Sequence, residues 1–192
     1  MEASLKKSKK LHPKEVLLFA GLGSIVMAFA GLTSAYIVKK SQANWLQFDL
    51  PNVFWISTIV ILISSFTIQM AVKKAKEQNV NQYKGFLWVT LILGVTFAFL
   101  QIQGFFKLEA ENIALIGSKS NPASSFLFVI VVLHLIHILG GVIALLFVSF
   151  SAHKDLAINN NILPIRLAST YWHFVDLLWI YLLVFFLVLG GN

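Results

Sequence analysis

Four ionisable side chains stand inside long apolar stretches of this 192-residue chain: His134 and His137 in one stretch, His173 and Asp176 in another. Each pair is spaced i, i+3, which on a helix puts both members on one face. Burying an ionised carboxylate in hydrocarbon is costly, so such groups face protein and find partners. Three chemistries fit the cluster. It can be a hydrogen-bond network that fixes helices against each other or against a partner subunit. It can be a proton-conducting or transport site, as His and Asp chains in pumps are. It can ligate a metal or haem, although His-x-x-His without further ligands is a weak metal pattern. Counting residues from the span boundaries puts His137 roughly 18 Å and Asp176 roughly 12 Å in from opposite sides of a core of about 30 Å. The two are therefore level, which allows a contact between them.

These residues need a membrane scaffold, and the composition supplies one. Hydrophobic residues make up 58% of the chain and charged residues 12%, against roughly 45–50% and about 25% in soluble domains. Spans are expected near 16–38, 52–72, 85–106, 125–150 and 168–190, each long enough to cross a hydrocarbon core of about 30 Å. The fourth is taken to begin at Ser124 and Ser125. The reading is an all-α polytopic membrane protein: a basic arm over 1–15, then a single five-helix bundle over 16–192. The connections are short and there is no internal repeat.

Eleven basic residues fall on one side, in the arm and the loops near 73–84 and 151–167, and four on the other, Lys39, Lys40, Lys107 and Lys119. The positive-inside bias places the N-terminus in the cytoplasm and the C-terminus outside. The net charge of +7 thus serves topology, and no nucleic-acid partner is expected. The chain has no cysteine, which excludes thiolate-held metal sites and cysteine nucleophiles. Trp45, Trp55, Trp88, Trp172 and Trp179 read mostly as interfacial anchors, Gly140 and Gly141 as close-packing positions, and Gln101 and Gln103 as residues near water at the outer end of the third span.

The run Tyr171-Trp172-His173-Phe174-Val175-Asp176-Leu177-Leu178-Trp179 resembles the last-helix motif of subunit III of the haem–copper terminal oxidases, typified by cytochrome c oxidase. His134-x-x-His137 with Gly141, and Gly94-Val95-x-Phe97-x-x-Leu100-Gln101, are similar to motifs of the preceding spans. Two departures stand out: Ile25 and Gly104 occupy positions where the family often carries glutamate. The resemblance, to the shorter five-helix bacterial form, implies an accessory subunit in a bacterial plasma membrane that is not catalytic on its own. It implies no cofactor in this chain, with haem and copper in partner subunits. It also implies binding to catalytic subunit I and other oxidase subunits, stabilisation of the catalytic centre, bound phospholipid and support of proton uptake. The candidate lipid contacts are Trp172, Lys154 and Arg166. The rival reading is a small proton-coupled secondary transporter using His137, His173 and Asp176.

Overall fold

The computed structural model describes residues 12–41, 45, 46, 48–117, 120–153 and 161–190. These form five helices: α1 (Pro13–Lys40), α2 (Asn52–Lys76), α3 (Val80–Ala110), α4 (Pro122–His153) and α5 (Leu163–Gly190). The shortest has 25 residues, about 37 Å at 1.5 Å per residue, and each is long and apolar enough to cross a membrane.

Helix starts and stops follow from local chemistry. α1 begins at Pro13, ahead of the apolar run, because Pro at the first helical position follows a capping box formed by His12 and Glu15. α4 begins at Pro122 rather than at the serines, since the Asn121 side chain accepts from the Ala123 N–H at 3.0 Å and again a proline opens the helix. Ser124 and Ser125 instead donate to the carbonyls of Ala114 and Leu115, tying the preceding loop to the helix. α2 and α3 each end on a residue in the left-handed region, Gln78 at φ 57° and Asn112 at φ 63°. The following N–H groups, of Asn79 and Ile113, bond back to Lys74 and Leu108, closing both helices in the same way. At the first of these ends Lys74 donates to Glu77 at 2.7 Å, and that bond, with the charges of Lys74 and Lys73, lowers the Glu77 carboxyl pKa.

The helices do not share their contacts evenly. The α2–α3 contact is the most extensive, and α3 also packs on α4, α4 on α5 and α5 on α2, so these four close a ring. α1 lies outside it and touches α4 and α5 through a stripe of Leu22, Phe29, Thr33 and Tyr36. Its C-terminal half is well held. Tyr36 sits against the rings of Trp45, Phe126, Phe185 and Phe186, and the Thr33 and Tyr181 hydroxyls meet at 3.1 Å. At the N-terminal end of α1 the Arg166 guanidinium donates to Glu15 at 3.2 Å. Between these tethers open two apolar grooves, of about 360 Å³ around Val26, Phe174 and Leu178 and about 530 Å³ around Leu18, Ile25 and Leu167.

Candidate functional site

The α5 pair faces α2. The Ser65 hydroxyl and His173 Nδ1 are 2.6 Å apart, and His173 Nε2 reaches Gln69 Oε1 at 3.3 Å. With the proton on Nε2, Ser65 donates to the ring and the ring donates to Gln69. Ser65 also lies beside the Asp176 carboxyl, but its hydrogen bond goes to His173. Asp176 is 2% exposed, and neither carboxyl oxygen has a formed hydrogen bond.

The α4 pair faces rings. His134 has no exposed surface, and neither of its nitrogens has a hydrogen-bond partner among the described residues. The rings of Trp179, Phe97 and Phe29 surround it with centroids 5.4, 6.0 and 6.4 Å away. His137 bonds through Nδ1 to the Leu133 carbonyl of its own helix at 2.7 Å and packs edge-on to Phe29. The level depths of His137 and Asp176 therefore do not become a contact: His137 turns to α1 and its own helix, Asp176 to α2. The four residues form two sites rather than one. Among the described residues no group of three or more His, Cys, Asp or Glu side chains could hold a metal.

Serine and threonine residues of α2 hold much of the buried polar surface. Ser57 receives the Gln101 amide N–H at 2.9 Å, Thr58 the Trp179 indole N–H at 2.9 Å, and Ser64 the Trp172 indole N–H at 3.0 Å. Thr67 pairs with Thr90 at 2.8 Å. Gln101 is thus fully buried rather than near water, while Gln103 is half-buried. Trp172 and Trp179 are packing residues rather than interfacial anchors. Trp172 has no exposed surface to offer lipid. It fills the space over two glycines, where an added Cβ would come within 2.6 Å of its ring at Gly94 and 3.0 Å at Gly141. Of the other two proposed lipid contacts, Arg166 pairs with Glu15 at the N-terminal end of α1, next to the groove-lining Leu167, and Lys154 is outside the described residues.

A family model described as cytochrome c oxidase subunit III matches residues 17–191. The chain belongs to that family. It is similar to a probable cytochrome c oxidase subunit 3 of Nocardia farcinica, 30% identical over 83% of this chain and 79% of the relative. It is likewise similar to a cytochrome bo(3) ubiquinol oxidase subunit 3 of Buchnera aphidicola from Baizongia pistaciae, 30% identical over 99% of both chains. A probable cytochrome c oxidase subunit 3 of Rickettsia bellii, 30% identical over 83% of this chain, is matched over 57% of its own length. The protein is accordingly a multi-pass membrane subunit III of a haem–copper oxidase, working in a complex with other oxidase subunits of the respiratory chain. At Gly104, one of the two positions where the resemblance led to an expected glutamate, the structure places an aromatic ring. The Phe54 ring lies 2.8 Å from where a Cβ on Gly104 would stand, so an aromatic ring occupies the ground a longer side chain there would need. Ile25 lines the groove near the N-terminal end of α1.

Proposed function

We propose that this subunit III docks against catalytic subunit I of the oxidase in a bacterial plasma membrane and stabilises it while holding phospholipid along α1. The observation that carries the lipid role is the pair of apolar grooves between the tethers of α1, one of them lined by Lys14, with the Arg166–Glu15 pair beside it. Acyl chains fit an apolar groove and a phosphate suits a guanidinium. The separation of the ionisable residues into two sites, one tied to α2 and one enclosed by rings, favours this structural role over proton-coupled transport. Support of proton uptake would then act through the catalytic subunit's surroundings, since this chain carries Ile25 and Gly104 at the positions of the family's acids. The N-terminus is assigned to the cytoplasm and the C-terminus to the outside on the basic-residue bias. The ends of α1, α2, α3 and α5 that carry Lys14, Lys73, Lys74, Lys84 and Arg166 lie on one side of the bundle, in keeping with this.

Purification through a tagged copy of the chain from native membranes tests the reading. The expected result is co-purification of a haem-bearing chain, with phospholipid that is lost when Leu18 and Ile25 are both changed to Trp to fill the groove. Recovery of a homo-oligomer without haem, active in solute uptake by liposomes, would overturn it.

A further inference from the structure

The polar chain on α5 and α2 does not stay inside the bundle. Asp176 is buried, Ser65 and His173 are half-buried, and Gln69 is exposed. Ser65 lies two turns and Gln69 one turn inside Lys73, roughly 12 Å and 6 Å along the helix. The apolar neighbours of Gln69 on the same face of α2, Leu62 and Phe66, are 48% and 67% exposed. The Gln69 oxygen is engaged by His173, and its NH2 group forms no hydrogen bond with the described residues. A side-chain amide has two such donors, and hydrocarbon cannot accept from them.

We propose that this α2–α5 face, centred on Gln69 and His173, is where a transmembrane helix of another oxidase subunit packs, presenting a hydrogen-bond acceptor to the Gln69 amide. Acyl chains have no acceptor for the amide. A second copy could pair amide to amide, because Gln69 carries an acceptor as well as its donors, so it is the chain's place in an oxidase complex that selects a helix of another subunit. A helix with a hydroxyl, carbonyl or carboxyl side chain satisfies the amide, while Phe66 and Leu62 supply the apolar flanks of an ordinary intramembrane contact.

The inference rests on the assignment of the chain to an oxidase complex, and the experiment separates the two. Photo-crosslinking residues are placed singly at Leu62 and Phe66 of α2, and at Phe147 of α4, 70% exposed, in the tagged chain within native membranes. The expected result is a crosslink from positions 62 and 66 to another chain of the haem-containing complex and mainly lipid adducts from position 147. Gln69→Leu should lower retention of the chain on the complex several-fold at unchanged membrane level, while Phe66→Leu should not. Co-purification with haem but crosslinks from 62 and 66 only to lipid, or to a second copy, overturns this face and leaves the assignment intact. Wild-type retention of Gln69→Leu also overturns it. Failure to co-purify with haem overturns both.

Discussion

The two histidine-bearing faces of the bundle have the same spacing and opposite surroundings. On α5, His173 and Asp176 look onto the hydroxyls and amide of α2, and His173 uses both its nitrogens. On α4, His134 looks onto three aromatic rings and uses neither. An i, i+3 pair specifies a face of its own helix and says nothing about the neighbour that face meets. The difference lies in α2, whose Ser57 and Ser64, and Thr58 and Ser65, recur at seven-residue intervals and so form two hydroxyl rows. The α5 pair is therefore a polar clasp, and the α4 pair is part of an aromatic core.

The contrast can be tested in order of expected effect. Trp172 joins α5 to α2 through its indole N–H and to α3 and α4 through its ring, so Trp172→Ala should cost about 3–5 kcal/mol. Thermal unfolding in detergent would read this, and a loss under about 1 kcal/mol would deny α5 its anchoring role. Ser65→Ala leaves His173 Nδ1 without its partner and should cost about 1–3 kcal/mol. Much of that loss should disappear in a Ser65→Ala, His173→Phe double variant, a coupling that a double-mutant cycle measures.

His134→Phe, at similar volume and with no hydrogen bond to lose, should change stability by less than about 1.5 kcal/mol in either direction. A loss equal to that of Ser65→Ala would erase the distinction between the two faces. Smallest of all, Glu15→Gln removes one charge of the Arg166 pair, whose guanidinium is 49% exposed. It should cost roughly 0.2–1 kcal/mol, and less still at high salt, as titration of the melting temperature with NaCl would show.

The five helices could be read from the sequence because each apolar run is long enough to cross a bilayer and the polar breaks are short. The start of α4 was missed because a serine pair looks like a cap, whereas Asn121 before Pro122 is the pair that works as one. The His137–Asp176 contact failed for a different reason. Residue counting gives height along a helix but not the direction in which the helix is turned, and residues at one depth can face different neighbours. The α2 rows carried a signal in their seven-residue interval. Their partners stayed hidden because a hydroxyl on a helix can bond to its own backbone, as Ser57 does to Phe54 and Thr58 does to the same carbonyl. The burial of Trp172 was foreshadowed by Gly94 and Gly141, the small residues that make room for a large one.

The outlying position of α1 has a consequence for how the protein is made. α1 is synthesised first, yet the helices it touches are α4 and α5, and α4 is complete only when the ribosome has passed from Lys40 to His153. At about 5–20 residues per second that interval is on the order of ten seconds. During it α1 must reside in lipid without the helices it will later lean on. Its sequence suits that wait: no acidic or basic residue lies between Glu15 and Lys39, Thr33 can bond to its own helix at Phe29 until Tyr181 arrives, and most of its surface remains lipid-compatible afterwards. α1 precedes the helices that clasp it, and it is built to be stable in lipid until they arrive.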